Sequence, residues 1–118
     1  MGDLSSNFSR AEFACKCGCG FMAVSAQLLT RLEMVRAHFG KPITITSGCR
    51  CAGHNAKQGG KPGSMHLKGL AADFRVAGVT PETVYAFCDR QWPDAGGLAK
   101  GKTFTHIDVR PNKARWVY

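Results

Sequence analysis

The sequence lacks a long hydrophobic run. None of its apolar stretches approaches the roughly 20 residues that a helix needs to cross a bilayer. Residues 1–10 contain no basic region followed by an apolar stretch, so we expect no secretory signal peptide there. We therefore expect synthesis in the cytoplasm and no stable insertion into a membrane. Action outside the cell would require release by another agent.

Acidic residues are also scarce. Eight Asp and Glu residues against sixteen Lys and Arg residues give a formal net charge of +8. Such a surplus suits a polyanionic partner, which could be nucleic acid, an anionic membrane surface or the acidic bacterial envelope. The basic residues are scattered, with neither a dense basic run nor the aromatic platform that grips single strands. We expect no nucleic-acid partner, although the charge and the cysteines keep a nucleic-acid-binding zinc protein as an alternative.

Internal repeats, low-complexity tracts and interdomain linkers are absent from the sequence. A chain of 118 residues is long enough for one hydrophobic core and too short for two. We therefore predict one domain over residues 1–118, and we expect a monomer.

Helix and strand signals alternate along the chain without a repeated βαβ rhythm. Ser9 and Glu12 have capping-box spacing, an amphipathic helix runs from Ser25 to Gly40, and another helix begins at Thr80. Strands are predicted near 43–46, 70–76, 104–109 and 115–118, and the glycine-rich loop 47–63 is long enough to be functional. The predicted class is α+β, with a central, mainly antiparallel sheet and flanking helices.

Six cysteines are present, at positions 15, 17, 19, 49, 51 and 88. Because we expect no export signal, reduced thiols or metal ligands are the first interpretation. The first five could form a second, structural metal site, but their C-x-C spacing is not the usual C-x2-C. Disulfides formed after release and simple buried thiols remain alternatives, the latter above all for Cys88 on its helix face.

Histidine and aspartate residues suggest a catalytic metal site. His66 follows the glycine-rich loop, and Asp73 lies in an apolar strand, where a carboxylate is costly unless it is paired or metal-bound. His106 and Asp108 are two residues apart on a predicted strand and should share a face. Two His and one carboxylate are a common zinc set that leaves one coordination position open. The alternatives are a hydrogen-bonded structural histidine and an aspartate that caps a turn.

The motif Ser64-x-His66-x-x-Gly69-x-Ala71-x-Asp73, preceded by Ser47-Gly-Cys-Arg50 and followed by His106-Ile-Asp108, resembles the zinc D-Ala-D-Ala carboxypeptidase family. That family includes related phage endolysins. The similarity covers nearly the whole chain, from Phe8-Ser-Arg-Ala-Glu-Phe13 to Arg115-Trp116. The resemblance implies a hedgehog or D,D-peptidase type of fold.

The resemblance also implies a mechanism. His66, Asp73 and His106 would be the ligands of a Zn²⁺ cofactor, and Arg50 would hold a substrate carboxylate or polarise the scissile carbonyl. The implied substrate is the stem peptide of peptidoglycan, cut by a D,D-carboxypeptidase or an endopeptidase. A phage or prophage endolysin that acts on the cell wall, in the periplasm, is the implied setting.

One position departs from the family pattern. Several members have a glutamate as general base three residues before the last histidine ligand, and Thr103 stands there in this chain. Asp108 could replace it, could orient a ligand, or could be a structural partner of Arg50 or of a backbone amide. Asp94 is a weaker substitute. A wall-binding module of the same fold that has lost catalysis is therefore the alternative function.

Overall fold

The structure, a computed structural model, describes residues 7–14, 24–48 and 70–118. Arg50, His66, five of the six cysteines and most of the glycine-rich loop lie outside these ranges. The described elements are a 3-10 helix (Arg10–Phe13), helices α1 (Ala26–Phe39) and α2 (Pro81–Gln91), and strands β1 (Ile43–Ser47), β2 (Ala71–Val76), β3 (Gly97–Lys100), β4 (Thr105–Asp108) and β5 (Ala114–Val117). No helix in these ranges is long and apolar enough to cross a membrane.

Helix α1 begins and ends where the sequence predicts. The Ser25 hydroxyl accepts a hydrogen bond from the backbone N–H of Leu28 at 3.0 Å, which caps the first turn. Gly40 ends the helix in the left-handed conformation, with φ of 63°. Leu28, Leu32 and Val35 of its apolar stripe are fully buried.

Helix α2 is also predicted correctly from its first residues. Thr80 caps it by accepting from the N–H of Thr83 at 3.3 Å, and Pro81 occupies the first helical position. Phe87 and Cys88 are buried on its inner face. Burial raises the pKa of the Cys88 thiol to about 12. Cys88 is therefore a buried free thiol, as expected for its helix face.

The described strands form one five-stranded sheet in the order β1-β2-β4-β3-β5. Three neighbouring pairs are antiparallel and the β3–β5 pair is parallel. The α+β class with a mainly antiparallel sheet is confirmed. Strand β3 was not predicted, because Gly97-Leu98-Ala99-Lys100 is short and lacks β-branched and aromatic residues. It forms a strand because it pairs on both sides and is largely buried.

The two faces of the sheet differ in chemistry. Phe74, Leu98 and Ile107 join the apolar core with residues of α1 and α2. Because neighbouring side chains of a strand alternate between faces, Asp73 and His106 point to the opposite side. The helices thus bury one face of the sheet, and two of the predicted metal ligands, Asp73 and His106, lie on the other.

Candidate metal and peptidase site

Strand pairing brings two of the predicted ligands together. Asp73 on β2 is directly opposite His106 on β4. Asp73 Oδ1 lies 2.8 Å from His106 Nδ1, and the two residues are only 7% and 4% exposed. Residues 33 positions apart thus form one buried polar pair, and burial of either group without its partner would be costly.

Asp108 contacts the other side of the same ring. It lies two residues after His106 on β4, on the same face, and its Oδ2 is 2.8 Å from His106 Nε2. Both ring nitrogens therefore face a carboxylate. Burial alone would lower the pKa of His106, but the hydrogen bonds with Asp108 and Asp73 outweigh it and raise that pKa.

The carboxylate of Asp108 is completely enclosed and fully hydrogen-bonded. Its exposed fraction is 0%. Oδ1 accepts from the N–H of Gly97 at 2.8 Å and from the backbone N–H and Nε of Arg110 at 3.2 and 2.8 Å. Oδ2 accepts from Nη2 of Arg110 at 2.7 Å and also faces His106. Burial opposes ionisation of Asp108, but the bonds from His106 and Arg110 prevail and hold its pKa well below the usual range.

Small residues on β3 make room for this cluster. Gly97 is paired with Asp108, and a Cβ atom at Gly97 would overlap the Asp108 carboxylate. Ala99 lies between His106 on β4 and Trp116 on β5 in one row of the sheet. Because Ala99 is short, the rings of His106 and Trp116 approach each other above it, with centroids 5.0 Å apart.

The donor set fits a divalent metal such as zinc. Asp73 supplies a carboxylate oxygen and His106 an imidazole nitrogen at adjacent positions, and both atom types are zinc ligands. A metal-binding histidine usually donates its other N–H to a carboxylate, and Asp108 is placed to accept that hydrogen. His66, the third predicted ligand, lies outside the described residues. Within those residues, no group of three or more His, Cys, Asp or Glu side chains is arranged to hold a metal.

Of the other residues singled out in the sequence for their bearing on catalysis, some lie within the described ranges and one lies outside them. Arg50 lies outside the described residues, so its role stays a prediction. Thr103 is exposed just before β4, and Asp94 is exposed on the turn before β3. Sequence reasoning did not identify Arg110 and Gly97 as the partners of Asp108. The available signal was the position of Arg110, two residues after Asp108.

Comparison with known proteins agrees with this geometry. A protein-family model described as Peptidase M15 matches residues 6–108, which span most of the chain and include Asp73, His106 and Asp108. The match confirms the resemblance to the zinc D-Ala-D-Ala carboxypeptidase family. No curated relative matches the chain. The chain therefore belongs to the Peptidase M15 family.

Proposed function

We propose that the chain is a zinc metallopeptidase that hydrolyses peptide bonds in peptidoglycan stem peptides, as a D,D-carboxypeptidase or an endopeptidase. Family membership supports the coarser statement, a metallopeptidase that acts on peptidoglycan. The observation that carries the zinc site is the buried Asp73–His106 pair, whose oxygen and nitrogen lie 2.8 Å apart. The proposal treats residues 1–118 as one catalytic domain.

His66, Asp73 and His106 would hold the zinc, which supplies Lewis-acid polarisation of a water and of the scissile carbonyl when bound. Arg50 would bind the substrate carboxylate or stabilise the developing oxyanion, since a guanidinium is a charged, planar donor. Asp108 orients the His106 ring through Nε2. The role of general base does not suit Asp108, because all of its lone pairs face donors.

The biological setting follows from the same chemistry. We propose a phage or prophage endolysin that reaches the cell wall, in the periplasm, after release. The net charge of +8 favours approach to an anionic envelope. The stem peptide is the partner, and the protein works as a monomer without nucleic acid.

One observation favours a second candidate, a wall-binding module without catalysis. Asp108 is committed to Arg110, Gly97 and His106, and Thr103 stands where family members place a glutamate. Such a module would keep the zinc ligands and bind stem peptides without cutting them.

Substitution of the proposed ligands tests the function. We expect His66→Ala and His106→Ala to lose both zinc binding and cleavage of purified peptidoglycan. His38→Ala serves as the matched control, because His38 is exposed on α1 and should leave both unchanged. Full cleavage by His66→Ala would refute the proposed ligand set. Intact zinc binding by the wild type without any cleavage would establish the second candidate.

A further inference from the structure

We propose that Arg110 is a positioning residue of the metal site, because its guanidinium holds Asp108 in the orientation from which it fixes His106. The inference rests on the proposed function, since it assigns a role toward the same zinc site. Arg110 lies two residues beyond the end of the Peptidase M15 match at residue 108, with Val109 in between. It stands just after β4, on the side of the sheet that carries the ligands.

The contact between Arg110 and Asp108 has the geometry of a two-pronged pair. Nε of Arg110 donates to Oδ1 at 2.8 Å and Nη2 donates to Oδ2 at 2.7 Å, so each carboxylate oxygen receives one prong. The backbone N–H groups of Arg110 and Gly97 add bonds to Oδ1 at 3.2 and 2.8 Å. Two parallel bonds fix the plane of a carboxylate, which a single point donor cannot do.

The carboxylate plane matters because of what lies beyond it. With Oδ1 committed to Gly97 and Arg110, Oδ2 faces Nε2 of His106 at 2.8 Å. Nδ1 is hydrogen-bonded to Oδ1 of Asp73 at 2.8 Å in this structure. With Asp108 accepting from Nε2, a bound metal would take the place of the Nδ1 proton, beside Asp73. Arg110 thus acts through Asp108 on the choice of ring nitrogen and on the ring orientation.

Trp116 closes the arrangement from the other side. The guanidinium carbon of Arg110 lies 5.1 Å from the centre of the Trp116 ring, within the range of a cation–π contact. The same indole lies 5.0 Å from the imidazole of His106. We use the name His106 brace for a ring of four residues, each in contact with the next: His106, Asp108, Arg110 and Trp116. The brace contacts the imidazole at Nε2 through Asp108 and at its side through the tilted Trp116 ring.

The test compares two arginines that are equally well bonded on opposite faces of the sheet. Arg115 donates to Asp89 and to the carbonyl oxygens of Gly96 and Trp92 at 2.6–2.7 Å. None of these three acceptors is the Asp108 carboxylate. Arg110→Lys keeps the positive charge and the aliphatic part of the side chain but loses the two-pronged guanidinium. Arg110→Met loses both the charge and the guanidinium. Arg115→Lys is the matched control for loss of a bonded guanidinium. Arg90→Lys is the control for the substitution itself, because Arg90 is exposed in the last turn of α2.

Zinc affinity is measured by competition with a chromophoric chelator at a temperature where every variant is folded. We expect Arg110→Lys and Arg110→Met to bind zinc about 10- to 100-fold more weakly, the range typical for loss of a partner behind a metal ligand. Arg115→Lys should lower the unfolding temperature without changing zinc affinity. Arg90→Lys should change neither.

A second readout follows the ring itself. Long-range ¹⁵N correlation spectra of the zinc-free protein at one fixed pH should show Nε2–H of His106 bonded to Asp108 in the wild type and a broadened or shifted signal in Arg110→Lys. Wild-type zinc affinity and unchanged His106 signals in both Arg110 variants would overturn the inference. A wild-type chain that binds no zinc would refute the proposed function instead, and the spectra would still decide whether Arg110 positions His106.

Discussion

The carboxylate of Asp108 occupies the space that a side chain at Gly97 would need. The two residues face each other across β3 and β4, and the backbone N–H of Gly97 donates to Asp108 at 2.8 Å. Glycine is therefore required here for close approach, since a Cβ atom would overlap the carboxylate. The orientation of the predicted ligand His106 thus depends on a glycine, Gly97, on the neighbouring strand.

Replacement of Gly97 by alanine should disturb both stability and the site. We expect Gly97→Ala to lower the free energy of unfolding by about 1–3 kcal/mol, since the methyl group must displace Asp108. Zinc affinity should fall with it. Gly78→Ala is the control, because Gly78 has φ of 72° and open space around it. That variant should cost about 1 kcal/mol through backbone strain alone. Unchanged zinc affinity in Gly97→Ala would contradict the prediction.

Arg115 should be a structural residue. Its guanidinium binds the carbonyl oxygens of Gly96 and Trp92 at 2.7 and 2.6 Å, so it ties β5 to the end of α2 and the turn before β3. We expect Arg115→Met to lower the free energy of unfolding by about 3 kcal/mol in urea titrations, because two carbonyls lose their donor. Asp89→Ala should cost less than about 1 kcal/mol, since the Asp89 side chain is 45% exposed. A larger loss for Asp89→Ala than for Arg115→Met would contradict this assignment.

The Cys88 thiol should be chemically inert in the folded protein. Burial raises its pKa to about 12, so at pH 8 the reactive thiolate is essentially absent. Alkylation by iodoacetamide, followed at the Cys88 peptide by mass spectrometry, should be at least 100-fold slower in the native protein than in urea. Equal rates in both solvents would show that the thiol is accessible and that the inner face of α2 is open.

The two tryptophans provide a matched pair of probes for the metal site. Trp116 lies 5.0 Å from His106, whereas Trp92 lies at the end of α2 beside Arg31. Zinc bound by His106 changes the charge next to the Trp116 indole, so we expect a zinc-dependent change in fluorescence. Trp92→Phe should keep this change and Trp116→Phe should lose it. The reverse pattern would place zinc away from His106.

Local signals predict most of the elements in the described part of the chain. Ser25 and Gly40 mark the two ends of α1, and Thr80 with Pro81 marks the start of α2, because caps depend on a few adjacent residues. Strand β3 carries no such signal. Its strand conformation comes from pairing with β4 and β5, which is set by tertiary structure rather than by the propensity of its own residues.

The site could be predicted in its residue types but not in its contacts. Asp73 stood out as a carboxylate in an apolar strand, and His106 and Asp108 stood out as a same-face pair. Their hydrogen bonds depend on the register of β4 with its neighbours β2 and β3. That register brings together residues up to 33 positions apart in the sequence. The sequence alone suggested Arg50 or a backbone amide as the partner of Asp108. In the described residues that place is taken by Arg110 and by the amide of Gly97.

Digestion of purified peptidoglycan tests the central claim most directly. Equal amounts of zinc-loaded and chelator-stripped protein are incubated with the polymer, and the products are identified by mass spectrometry. We expect stem-peptide fragments from the zinc-loaded protein alone, restored when zinc is returned to the stripped sample, and the fragment masses identify the bond. Equal cleavage with and without zinc, or no cleavage by protein that holds one tightly bound zinc, would contradict the account.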